Sequence, residues 1–175
     1  LSNMNEYTST YFSLRCGKKI YKLHDSADVK TKARLLDDKV QIIYSVNGTA
    51  DVLVEFIPVE SQYGEGYDVL RIQTTVTNTG KKAAEFALKN VMDTVLGEAD
   101  LYHFYTADNV PIKSEASFRT MANSPYFNSK NKAAWCQFLL DGADVTPTDI
   151  VALGNYATVD SSTWEPDMSS YRTFD

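Results

Sequence analysis

Apolar and polar residues alternate along most of this chain, which is the period-two pattern of β-strands with one buried face. Residues 69–77 show it clearly, since Leu70 and Ile72 alternate with Arg71 and Gln73. Long stretches with the 3.6-residue period of an amphipathic helix are absent from the sequence. The pattern therefore predicts an all-β protein.

Turn residues separate the predicted strands. Gly17 is suited to the positive φ of a tight hairpin, and the pair formed by Asn47 and Gly48 is a strong hairpin signal. The predicted strands cover residues 11–15, 19–23, 29–35, 40–46, 51–59, 69–77, 83–92, 113–119, 133–140 and 149–157. The third to the fifth of these strands form a meander. Regular strands divided by turns favour an antiparallel β-sandwich, two sheets packed face to face.

Length and composition limit the number of cores. A chain of 175 residues with 43% hydrophobic content can bury one substantial core without disulfides or a metal. We therefore expect a single domain over residues 1–175. Because the chain opens at Leu1 without an initiator methionine, we expect this domain to be excised from a longer protein.

Charge and hydropathy exclude two kinds of partner. The formal net charge of −6 argues against nucleic acid, because that affinity comes from Lys and Arg neutralising phosphates. No apolar run is long enough for a transmembrane helix, so no transmembrane segment is expected.

The two cysteines, Cys16 and Cys136, lack the spacing of a zinc site or a disulfide framework. Cys136 lies in an apolar run and is interpreted as a buried, unreactive thiol.

Two segments and a later aromatic region carry a family resemblance. Residues 70–80 form a strand that ends in an Asn-Thr-Gly turn, and residues 90–100 run through Asp93 into an acidic segment. Together with Trp135 and the Trp164 region, they resemble supersandwich domains of the galactose mutarotase-like type, found within larger exported bacterial proteins. The resemblance implies an extracytoplasmic β-sandwich, in the periplasm, at the cell surface or secreted, often with carbohydrate-related functions.

The sequence offers little support for catalysis. Sugar-converting enzymes of the mutarotase-like type use histidine and carboxylate side chains that converge on a concave sheet, and this chain has only His24 and His103. No position matches such a motif, so no catalytic residue is assigned. The enzymatic alternative is an epimerase or hydrolase that uses a carboxylate and His103.

A cluster of acids is the candidate metal site. Asp93, Glu98 and Asp100 lie close together near His103, and carboxylate oxygens suit calcium. The alternative is that Asp93 accepts backbone N–H groups at a strand end while the other two acids are solvated. The spacing lacks the order of a calcium loop, so no cofactor is expected other than a possible calcium ion.

Aromatic residues supply the candidate ligand site. Tyr102, Tyr105 and Trp164 are predicted to bind a ligand, because sugar rings stack on aromatic faces. They belong to a wider aromatic set, in and after the long irregular stretch of residues 97–111: Tyr102, Phe104, Tyr105, Tyr126, Phe127, Trp135 and Trp164. The alternative is packing, with Trp135 and Phe138 filling the core between the sheets.

A basic stripe is the last candidate. Lys30, Lys32 and Arg34 fall on one side of the strand predicted at residues 29–35. They contact either an anionic polysaccharide or acidic partner, or only solvent. Taken together, the sequence predicts a non-catalytic module of an exported bacterial protein. The module binds carbohydrate or contributes to cell-envelope assembly through contacts with other proteins.

Overall fold

The fold is that of a computed structural model, which describes residues 9–61, 64, 66–94, 96, 102–118, 124–160, 164 and 166–174. The chain divides into two compact units. One comprises residues 11–90 and is called here the 11–90 unit. The other comprises residues 1–10 and 91–175 and is called the 91–175 unit. The single domain over residues 1–175 stays a prediction.

The 11–90 unit consists of two sheets. Its strands are β1 (Tyr11–Cys16), β2 (Lys19–Lys22), β3 (Val29–Leu35), β4 (Val40–Val46), β5 (Ala50–Glu60), β6 (Tyr67–Asn78) and β7 (Phe86–Val91). The first sheet has the order β2-β1-β7. The second is the antiparallel meander β3-β4-β5-β6, which extends the predicted three-strand meander by β6.

Side chains from both sheets form the core of the 11–90 unit. Those from the first sheet and the residue after β2 are Phe12, Leu14, Tyr21 and Leu23, and those from the second are Tyr44, Val46, Ala50, Val52 and Val54. Because two sheets share one apolar layer, the unit is a β-sandwich. Its two tightest hairpins turn at Gly17 and Gly48, with φ of +58° and +63° as the sequence predicts.

The 91–175 unit has shorter elements. They are β8 (Phe104–Thr106), β9 (Pro111–Ile112), β10 (Ala116–Phe118), β11 (Tyr126–Lys130), β12 (Trp135–Leu139), β13 (Val151–Leu153) and the helix α1 (Tyr156–Val159). One antiparallel sheet has the order β12-β11-β8-β9, and β10 pairs with β13 in a second. Phe104, Phe127, Leu140 and Leu153 form a core between them.

The predicted fold class, an all-β antiparallel sandwich, is confirmed. Three local predictions were wrong. The sequence did not predict β11, the stretch of residues 97–111 contains β8 and the start of β9, and part of the strand predicted at 149–157 is helical. Asn155 explains the helix, because its side-chain oxygen accepts a 3.0 Å hydrogen bond from the Ala157 amide and caps α1. No helix within the described residues is long and apolar enough to span a bilayer.

Candidate functional site

The outer face of the sheet β12-β11-β8-β9 is the candidate site. Strand pairing places Asn128 opposite Tyr105 and Gln137, and Lys130 opposite Trp135. Neighbouring residues along a strand point to opposite sides, so these side chains face away from the core that holds the phenylalanines. We call this surface the aromatic face: Tyr105, Tyr126, Asn128, Lys130, Trp135, Gln137 and Leu139.

Trp135 is the most exposed aromatic ring on this face, with 66% of its surface accessible. Its indole Nε1 donates a 2.8 Å hydrogen bond to Oδ1 of Asn128, which is 4% exposed. The turn before Trp135 is also fixed, because Asn131 Oδ1 accepts 2.8 Å hydrogen bonds from the amides of Ala133 and Ala134. The ring is therefore held in place although most of its surface meets water.

Tyr105 and Lys130 of the aromatic face are in contact with each other, and Tyr102 adjoins Tyr105. The rings of Tyr102 and Tyr105 meet edge to face, with centroids 6.3 Å apart. The ammonium of Lys130 lies 4.2 Å from the centroid of the Tyr105 ring, a cation–π contact, and it donates a hydrogen bond to Oδ1 of Asn109. One side of the Tyr105 ring is thus already covered by Lys130.

The structure brings together two of the three predicted ligand residues. Tyr102 contacts Tyr105, which belongs to the aromatic face, whereas Trp164 is half-buried and lies outside the strands of this sheet. Its role in binding stays a prediction. The packing interpretation of Trp135 was wrong: Trp135 and Phe138 are three positions apart on one strand, so the pleat points them to opposite faces. Phe138 does pack in the core, stacked on Phe127 at 4.6 Å.

The predicted metal ligands are only partly described. Asp93 Oδ2 accepts a 2.6 Å hydrogen bond from the Ser9 hydroxyl, and the Asp93 amide donates a 3.1 Å bond to Thr10 Oγ1. Glu98 and Asp100 lie outside the described residues. No cluster of three potential metal ligands occurs within the part of the chain that the structure describes. The calcium site stays a prediction.

His103 is buried. Its Nε2 lies 2.8 Å from Oγ1 of Thr94, and its ring stacks on that of Phe104 with centroids 4.1 Å apart. Phe174 approaches the same ring edge-on at 6.2 Å. With 8% of its surface exposed, the imidazole packs against Phe104 and Phe174 and presents little surface to solvent.

A buried carboxylate is a polar centre that the sequence analysis missed. Glu115 accepts hydrogen bonds from the Thr158 hydroxyl (2.7 Å), the Asn155 and Ser169 amides (3.2 and 3.1 Å) and Arg172 Nε (2.8 Å). Burial opposes ionisation, but these hydrogen bonds and the guanidinium charge together hold the pKa of Glu115 below its ordinary value. Glu115 therefore ties α1 and the C-terminal segment to the loop before β10.

No local pattern could have revealed this centre, because the partners of Glu115 lie 40 to 57 positions away in the sequence. Every oxygen of the carboxylate is engaged by protein donors, so the group is structural.

The basic stripe lies on β3, at one edge of its sheet. Lys30, Lys32 and Arg34 are exposed on the side of the strand opposite to Val29, whose side chain packs against the core. The exposed stripe is compatible with both interpretations made from the sequence, an anionic partner or solvent alone. Leu35 at the end of β3 is 83% exposed, so the core does not cover the end of this edge strand.

The two cysteines and a small cavity give no indication of a second functional site among the described residues. Cys16 and Cys136 are both free thiols; Cys136 is half-buried rather than buried as predicted, and this burial raises the pKa of its thiol. A cavity of about 20 Å³ in the 91–175 unit has space for roughly one water molecule. Its lining residues are Thr106, Ile112, Phe118, Ser124, Phe127 and Leu153.

A scan of protein-family models and searches of the curated proteins and the solved structures gave no match for this chain. The galactose mutarotase-like resemblance therefore stays a prediction.

Proposed function

We propose that the 91–175 unit is a carbohydrate-binding module and that a sugar ring stacks on Trp135. The observation that carries this proposal is a tryptophan that is 66% exposed and yet fixed by a hydrogen bond to a buried asparagine. An indole of this kind presents a flat apolar surface without losing side-chain entropy on binding. The C–H groups on one side of a sugar ring fit such a surface.

The groups around Trp135 suit hydroxyl recognition. Gln137, exposed on the same face, brings an amide oxygen and a second N–H beside the one that it donates to Asn128 at 3.5 Å, and Tyr126 brings a hydroxyl on the neighbouring strand. Leu139, 49% exposed, extends the apolar area along β12. A stacking ring with polar groups beside it is the combination that orients a saccharide in a shallow site.

The wider setting belongs to the same proposal. The module is a non-catalytic part of a larger exported bacterial protein of the galactose mutarotase-like type, and Asp93 is a ligand for a calcium ion. The enzymatic alternative has less support, because His103 is buried against Phe104 and hydrogen-bonded to Thr94.

A second candidate function is cell-envelope assembly through protein contacts, and β3 supports it. An edge strand with exposed cations can accept an additional, acidic strand from a partner. The two candidates are separable. Replacing Lys30, Lys32 and Arg34 with Glu would abolish binding of an acidic protein partner and leave the binding of neutral oligosaccharides unchanged.

Tryptophan fluorescence tests the carbohydrate proposal directly, because the chain has only Trp135 and Trp164. In the Trp164→Phe variant Trp135 is the sole indole fluorophore. We expect its emission to change on titration with members of a panel of neutral and acidic oligosaccharides, with and without calcium. Replacement of Trp135 by Ala, followed by calorimetry, should weaken binding about tenfold or more, the value of one stacked ring.

Tyr171→Ala is the matched control, since Tyr171 is 96% exposed and lies on no strand of the aromatic face. It should bind glycans as the unaltered protein does. Equal affinity of the Trp135→Ala variant would contradict the proposed site. A folded protein that responds to no oligosaccharide in the panel would contradict carbohydrate binding and favour the assembly function.

A further inference from the structure

We propose that the saccharide recognised by the aromatic face is acidic, with a uronic acid carboxylate that pairs with Lys130. This inference rests on the proposed function and names the class of sugar that the site takes. Lys130 is the only charged residue of the aromatic face. Its position and its contacts both indicate an anionic ligand group.

Strand register places the cation beside the stacking ring. Lys130 pairs directly with Trp135 across β11 and β12. Directly opposed side chains on one face of an antiparallel pair start about 5 Å apart. The carboxylate of a uronic acid projects from the edge of the sugar ring. When the ring stacks on the indole, that edge can therefore reach the ammonium of Lys130.

Among the residues that the structure describes, the ammonium of Lys130 contacts only neutral partners. It lies over the Tyr105 ring, 4.2 Å from the centroid, and it donates to the amide oxygen of Asn109. Neither group carries a formal charge, so the positive charge is held in place but not neutralised. A side chain fixed in this way loses little entropy when it binds an anion. A carboxylate that arrives forms a charge-assisted hydrogen bond, stronger than one between neutral groups.

The total charge of the protein makes this cation more important. A net charge of −6 repels an acidic polysaccharide at long range, so such a ligand needs a local positive group. Lys132, in the exposed turn between β11 and β12, carries charge of the same sign next to the face. It offers the matched comparison, because it lies in the turn outside the strand pairing that defines the face.

The experiment compares each uronic acid oligosaccharide with its carboxyl-reduced counterpart. The probes are trimers of galacturonic, glucuronic and mannuronic acid and the corresponding neutral trimers, titrated calorimetrically into the unaltered full chain. We expect at least one acidic trimer to bind about tenfold more tightly than its reduced form, as one charge-assisted hydrogen bond allows. Added salt should reduce this advantage, because the pair is only partly buried.

Lys130→Gln should remove the advantage by weakening only the acidic trimer, while Lys132→Gln should retain it. An unchanged melting temperature of the Lys130→Gln variant shows that its fold is intact. The inference is overturned if the reduced trimers bind as tightly as the acidic ones, or if Lys130→Gln preserves the ratio. Either result leaves carbohydrate binding through Trp135 in place. If neither the acidic nor any neutral oligosaccharide binds, the proposed function itself fails.

Discussion

The indole Nε1 of Trp135 donates a 2.8 Å hydrogen bond to Oδ1 of Asn128, so a buried amide on β11 positions an exposed ring on β12. The two residues are diagonal neighbours, since Asn128 pairs directly with Gln137. Stacking on Trp135 therefore depends on a residue that a ligand need not touch. Asn128 is a positioning residue for the proposed site.

Asn128→Leu should free the Trp135 ring without changing the fold. The substitution keeps similar volume and removes the acceptor, so we expect faster fluorescence anisotropy decay of Trp135 in the Trp164→Phe background. Loss of the 2.8 Å hydrogen bond from Trp135 and the longer, 3.5 Å one from Gln137 should lower the free energy of unfolding by about 1–2 kcal/mol. Gln137→Ala is the control, because it removes the 3.5 Å hydrogen bond that Gln137 Nε2 donates to the same oxygen and leaves the hydrogen bond from Trp135 in place. An unchanged decay in Asn128→Leu would contradict the positioning role.

Glu115→Ala should strongly destabilise the 91–175 unit. The change leaves the donors of Thr158, Ser169, Asn155 and Arg172 without their acceptor, at a cost of about 3 kcal/mol in the free energy of unfolding. Urea unfolding followed by tryptophan fluorescence measures it, since both tryptophans belong to this unit.

Asp149→Asn is the control for this experiment, because Asp149 is exposed. Its effect should stay within about 0.5 kcal/mol, the range of ordinary surface substitutions. A loss of similar size in both variants would mean that the carboxylate at position 115 is no more important than a surface acid.

The pH dependence of stability should also report on Glu115. Its pKa is lowered in the folded state from an ordinary value of 4.5, so the unfolded chain binds the proton more tightly. The stabilisation is then complete above pH 4.5 and is lost as the pH falls through the folded pKa. The unfolding free energies of the unaltered protein and of Glu115→Gln should therefore converge as the pH falls below that value. A difference that stays constant with pH would show that the charge has no such linkage.

Gly48→Ala should destabilise the β4–β5 hairpin. Gly48 has a φ of +63°, and nothing lies within 4 Å of an added Cβ, so the cost comes from the backbone alone. We expect a loss of about 1–2 kcal/mol in the 11–90 unit, measured by thermal unfolding with far-UV circular dichroism. Gly48→Asn is the matched variant, because asparagine tolerates the left-handed region and should lose less. Equal losses in both variants would contradict a backbone origin.

Much of the 11–90 unit could be predicted from the sequence. Its hairpins carry glycine at the positions of positive φ, and apolar or small residues alternate with polar ones along its strands, as they do over the seven residues of β3. The 91–175 unit gave weaker signals. β11 was missed because its five residues include only Tyr126 and Phe127 as apolar positions, and the side chains of Asn128 and Ser129 are buried polar groups.

Only part of the candidate site could be predicted from the sequence. Tyr102 and Tyr105 were named from sequence, but Trp135 was interpreted as either a platform or a core residue, because an isolated aromatic residue has no period that reveals its face. The pairing of β11 with β12 shows that Trp135 lies opposite Lys130 on the outer face. Glu115 had no local signal at all, since its partners come from α1 and from the C-terminal segment.

The sequence by itself determined what is local: the period-two alternation that makes the chain all-β, and the glycines that turn its tightest hairpins. The tertiary structure alone decided which face Trp135 occupies, which neutral groups hold Lys130, and that Glu115 is a buried anchor. The physical reason is that alternation fixes which residues share a side of one strand. Which strands pair, and which side is buried, depends on contacts between residues far apart in the chain.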